Sequence, residues 1–133
     1  MPISAGVLKI FKGKVTYSDT SPVTICTIPA GCVLIGAFVN VTTAWSGTSP
    51  TVDVGDSADP DGIIPNASID LATTGFQALK ENEKGAYLWD SANGVSQYHV
   101  FDADTDIQVT IGGTDLTAGE VEVYLLVIDA RII

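Results

Sequence analysis

The chain has 133 residues, 46% of them hydrophobic and 17% charged, and 16 acidic residues against 6 basic ones give a formal net charge of −10. A chain of this length fits one domain, expected to span residues 1–133, that buries about two-thirds of its unfolded surface around a single core. The acidity repels phosphate backbones and argues against direct nucleic-acid binding, and no apolar run approaches the roughly 20 residues that a membrane-spanning helix needs.

The first predicted strand covers residues 7–17. The opening stretch MPISAGVLKIFKGK places its lysines within or after a short β-like run, not ahead of an apolar helix, so no export signal is expected. Val7, Leu8, Ile10 and Phe11 are apolar where chain ends are usually polar and frayed, and so are Ile132 and Ile133 at the other end. Both ends are read either as sheet strands of the domain or as segments docking on a neighbouring subunit.

Strands at 23–28 and 32–43 flank the Pro29-Ala30-Gly31 turn, which would bring Cys26 and Cys32 near each other. They are expected to be two small buried thiols of an intracellularly made protein, and with one distant histidine they fit no zinc pattern. Within 32–43, Val33, Ile35, Ala37, Val39 and Val41 are expected to line one face, with Leu34 and Phe38 on a partly covered second face. Trp45 follows at the tip of an expected hairpin beside Ser46-Gly47-Thr48, where an exposed aromatic anchors a partner more often than it packs in a core.

A short strand at 51–54 leads into an acidic loop holding Asp56, Asp59 and Asp61. Between Ile69 and Glu83 the apolar residues have imperfect helical spacing and Gly75 interrupts them, so an irregular loop with one helical turn is expected. Further strands are predicted at 86–89, with Trp89 in the core, at 97–101, at 106–111 and at 121–128. The 106–111 strand alternates cleanly, with Ile107, Val109 and Ile111 on one face. The 121–128 strand begins in alternation and ends in the continuous run Tyr124-Leu125-Leu126-Val127-Ile128, as a central strand does, or one whose outer face meets a partner. Eight short strands with frequent turns and little helix point to an all-β fold, a single antiparallel β-sandwich, with a jelly roll among the arrangements that fit.

No motif carries catalysis. The one histidine, His99, is read as a strand-surface or packed residue, and no G-x-S-x-G nucleophile elbow, G-x-x-x-x-G-K-[ST] loop or G-x-G-x-x-G loop occurs. The aspartate groups around Asp59 and Asp104 both fail the calcium-loop pattern and are read as turn formers that bond their own backbone. The two N-x-[ST] triplets, at Asn40 and Asn66, carry no weight without an export signal. No catalytic residue, cofactor or metal ligand is assigned, and the protein is expected not to be an enzyme.

From Ile28 to Ile64 the IPAG turn, the strand VLIGAFVNVTTAW and the following TVDVGDSADPDGII resemble segments of small virion structural proteins of tailed bacteriophages, notably head decoration or cement proteins. The resemblance covers about a third of the chain. It implies a β-sandwich made in the bacterial host cytoplasm that binds the outside of the assembled capsid, partnering the major capsid protein and itself, commonly as a trimer. Val7, Leu8, Ile10, Phe11, Trp45, Ile132 and Ile133 are the candidate contacts with capsid or subunit. A tail, fibre or baseplate component, or a carbohydrate- or calcium-binding module using Trp45 or the aspartates near Asp59, is the alternative.

Overall fold

The structure, a computed structural model, describes residues 7–132 and the side chains of residues 7–131. It is all-β, with eight strands: β1 (Leu8–Thr16), β2 (Val23–Ile28), β3 (Cys32–Gly55), β4 (Gly75–Gln77), β5 (Trp89–Asp90), β6 (Val95–Ser96), β7 (His99–Val100) and β8 (Thr105–Asp129). All pairings are antiparallel. Three 3₁₀ turns, Asn66–Ser68, Glu81–Glu83 and Ala130–Ile132, are the helical elements among the described residues.

Two long strands organise the molecule. β3 and β8 are rich in Val, Ile and Thr, whose branched side chains fit a pleated surface, and they pair from Cys32 opposite Asp129 to Gly55 opposite Gln108. β1 lines the second half of β8, with Leu8 opposite Ile128 and Thr16 opposite Glu120, so the first and last described strands are neighbours. β2 lines its first half. On the far side of β3 lie β7 and β4, while β5 and β6 form a separate two-stranded ladder.

The β3–β8 ribbon bends in the middle. Its register breaks repeatedly between Thr43 and Thr51, and the left-handed backbone positions of Gly47, Ser49, Gly113, Asp115 and Gly119 all fall in this corner. Beyond it the ribbon returns over itself, so Val39, Val41, Val121, Val123 and Leu125 from one half share a core with Val52, Val54, Ile107 and Val109 from the other. Each such side chain contributes about 1.5–3 kcal/mol on burial. The halves approach closely at Gly13, where an added Cβ would lie 2.9 Å from Ile25 Cγ2.

Three expectations need correction. The 51–54 segment is the end of β3, and the 106–111 and 121–128 segments are the two halves of β8. The 86–89 strand is mostly a turn, because Leu88 N–H and Trp89 N–H both donate to the Gly85 carbonyl; Trp89 is half-buried. The alternation through 33–37 is broken by a bulge between Leu34 and Gly36 that turns Leu34 inward and leaves Ile35 exposed. The one helical turn expected within 69–83 is the 3₁₀ turn Glu81–Glu83, and the same stretch also holds the short strand β4. Cys26 and Cys32 are free thiols, and burial, with Asp106 nearby, pushes Cys26 up to about 11.

Candidate functional site

The two outer faces of the folded ribbon differ in chemistry. Where β2, the start of β8 and the end of β3 meet, the outward residues are Thr24, Thr27, Asp106, Gln108, Thr110 and Asp53, all polar. The opposite outer face is apolar over half its extent. Register explains the gradient, because side chains level with each other form rows across the sheet. One row runs Ile10, Leu126, Gly36; the next Lys12, Tyr124, Phe38; the next Lys14, Glu122, Asn40.

Leu8 is 57% and Ile10 63% exposed on this face, and Phe76 from β4 is 68% exposed beside it. Phe38 stacks on Tyr124 with ring centres 4.8 Å apart, and Phe76 tilts toward both at 6.2 and 6.0 Å. Apolar side chains exposed side by side in this way are uncommon on a solitary domain.

The polar half of the same face cancels its own charge. Lys12 Nζ lies 2.8 Å from Glu122 Oε2 and 5.4 Å from the Tyr124 ring centre, while Lys14 pairs with Glu120 at 3.7 Å. Glu122 Oε1 also accepts bonds from Asn40 Nδ2 at 3.0 Å and Tyr124 Oη at 3.1 Å. Lys12 first, then Asn40, holds the Glu122 carboxyl below the usual carboxylate range. In a chain of net charge −10, this face presents little net charge.

Next to the aromatic cluster is an open groove of about 650 Å³, floored by β3 from Ile35 to Phe38 and walled by Phe76, Ala78, Leu79 and Leu126. Gly36 adds no side chain there, which deepens the depression. A second depression, of about 440 Å³, lies among Asp56, Asp104, Asp106 and Gln108. Among the described residues no group of three or more His, Cys, Asp or Glu is arranged to hold a metal ion.

The aspartates instead tie loops. Asp56, almost fully buried, accepts backbone N–H bonds from Ala58 and Asp59 and both of its oxygens lie 2.9 Å from Tyr87 Oη. Asp53 accepts from Asn66, Asp104 from the Ala30 N–H and Asp106 from Thr27 Oγ1. His99 lies flat on Tyr87, ring centres 3.7 Å apart, and edge-on to Phe101 at 4.8 Å. Burial lowers its pKa, against the opposing pull of Asp56, Asp102 and Asp59. It is a packed residue.

The candidate contacts separate. Leu8 and Ile10 stand on the apolar outer face, whereas Val7 and Phe11 turn toward the core. Trp45 is 5% exposed and does not project from a hairpin tip. The chain at that point curls into the ribbon corner, and the indole lies on the bare backbone of Gly119. Ile132 ends the last 3₁₀ turn, and its side chain, like all of Ile133, lies outside the described residues. Just before it, the buried Asp129 receives Arg131 Nη2 at 2.7 Å and Lys9 Nζ at 2.9 Å, tying β1 to the end of β8. None of Phe38, Phe76, Tyr124 and Leu126 is among the expected contacts; the partly covered second face of Phe38 and the apolar run 124–128 are signals for three of them, and no pattern points to Phe76.

No protein-family profile and no curated protein matches the sequence. Two solved structures share its fold. One chain is from the capsid asymmetric unit of cyanophage Pam1, with a TM-score of 0.66 and 16% identity over 96% of this chain and 90% of that one. Another is from the acid-stable capsid of Helicobacter pylori bacteriophage KHP30, with a TM-score of 0.65 and 9% identity over 93% and 89% of the two chains.

Proposed function

We propose that this protein is a non-enzymatic structural component of a phage virion, a decoration or cement protein that binds the outer surface of the assembled head and stabilises it. The observation that carries this reading is the fold shared, over nearly the whole length of each chain, with chains from two phage capsid structures. The apolar half of the outer face, with Leu8, Ile10 and Phe76, is the contact surface for the major capsid protein and for further copies in a trimer. A protein that binds only the assembled shell stabilises it by mass action, and a trimer multiplies modest contacts through avidity.

The test mixes purified protein with heads of its phage that lack it. Saturable cosedimentation and a trimeric mass in analytical ultracentrifugation are expected. Ile10→Asp is expected to fold normally, since Ile10 is exposed, and to bind heads about tenfold more weakly. A monomer without head affinity refutes the reading.

A further inference from the structure

β3 is covered by β8 on one side along most of its length, but on the other side by two short strands with a space between them. β7 pairs with Val33 and Leu34, and β4 with Val39, Asn40 and Val41. Among the described residues, 35–38 have no strand partner on that side, and no loop hydrogen bond reaches their backbone. A strand directs its N–H and C=O groups alternately to both sides, so the space holds unpaired donors and acceptors in the middle of a sheet edge. It is about 13 Å long, at about 3.3 Å per residue. The same stretch is the floor of the 650 Å³ groove.

We propose that this gap binds an extended, uncharged, aliphatic peptide segment of another protein chain, added as a short strand between β4 and β7. The unpaired backbone calls for an extended main chain, because a helix has already satisfied its own N–H and C=O groups. The walls, Phe38, Phe76, Leu79 and Leu126, take aliphatic side chains from alternate positions of the added strand. Charge decides the rest. Lys84 is the one charged side chain lining the groove, and Glu81 pairs with it at 3.1 Å. An acidic segment meets the field of a chain of net charge −10, and a basic one finds no carboxylate in the groove. The groove shares Phe76 with the surface proposed to contact the head, but its occupant's chemistry is read from the groove itself, so isolated protein suffices for the test.

The probe is the acetylated and amidated peptide Gly-Thr-Val-Thr-Ile-Thr-Gly, titrated into ¹⁵N-labelled protein. Saturable shifts are expected at the amides of residues 35–38 and 76–79. Methylating alternate peptide nitrogens removes main-chain donors and is expected to weaken binding at least about tenfold. Replacing the peptide's Val and Ile by Asp is expected to abolish it. Phe76→Ser is expected to weaken it about tenfold with only a small fall in unfolding midpoint, since Phe76 is largely exposed and touches only Phe38 and Tyr124 among the aromatic rings. Absence of shifts at these residues overturns the proposal, and so does equal binding of the N-methylated peptide, which would make the groove a greasy depression without strand addition.

Discussion

Gly119→Ala tests whether the ribbon corner is built as described. Gly119 has φ +146°, and a methyl group there would lie 2.6 Å from Trp45 Cγ and 2.8 Å from Cε2. Overpacking of this kind costs about 1–3 kcal/mol, and holding alanine in a glycine backbone region costs about 1–3 more. The sum, about 2–6 kcal/mol, is a large part of the about 5–15 kcal/mol by which domains are stable. In urea unfolding followed by far-UV circular dichroism, with a slope of about 2 kcal/mol per molar, the midpoint is expected to fall by about 1–3 M. Trp45→Leu separates the two penalties. The indole N–H has no hydrogen-bond partner among the described residues, so leucine removes packing and no polar contact. In that background Gly119→Ala keeps only the backbone cost, and the double-mutant cycle is expected to give about 1–3 kcal/mol of coupling. A single-variant cost below about 0.5 kcal/mol, or the same cost in both backgrounds, refutes the corner geometry.

Leu34→Ala, at a fully buried position beside the bulge, is expected to cost about 2–5 kcal/mol in the same assay, because Leu34 and not Ile35 faces the core; Ile35→Ala is expected to cost much less. Tyr87→Phe removes the hydroxyl donor of buried Asp56 and is expected to cost about 1.5–3 kcal/mol by thermal or urea unfolding. Because burial depresses the His99 pKa, the unfolded chain, titrating near 6.5, binds more protons than the folded one, so stability is expected to fall as pH drops from 7 to 5. His99→Gln should flatten most of that interval, since the chain has no other histidine and the hydrogen-bonded carboxylates of Asp129 and Glu122 lose their contribution progressively only below about pH 5. With its thiol pushed up to about 11, Cys26 is expected to react with aromatic disulfide reagents at pH 8 far more slowly than free cysteine, and fast reaction in the native state would contradict the burial.

What could be read from the sequence was local. Ile107 and Val109 face the core as their alternation predicts, and the unbroken run from Tyr124 to Ile128 signals a strand covered on one face and apolar on the other. What could not be read was decided by partners far along the chain. The bulge at Ile35 exists only against Val127 and Leu126, and it reverses the phase that residues 33–37 suggest on their own. Trp45 looks like an exposed tip until Gly119 is brought beneath it. The groove is harder still, since it is defined by residues 35–38 failing to find a neighbour, and no local pattern records a missing strand.

The β3–β8 ribbon also sets the order in which the molecule can be made. Its members closest in sequence, Gly55 and Gln108, are still separated by the whole stretch that carries β4 to β7, and β1 and β2 take their partners from β8 as well. Loops this long must close before any sheet contact repays the lost chain entropy, which places the protein among slow-folding, high-contact-order topologies, on the scale of milliseconds to seconds. Until residues 105–129 are available, the strands that precede them have exposed apolar faces and unpaired edges. The polypeptide must therefore wait, and the acidic charge that opposes self-association gathers only from Asp53 onward, since residues 1–52 hold Lys9, Lys12 and Lys14 against Asp19 alone.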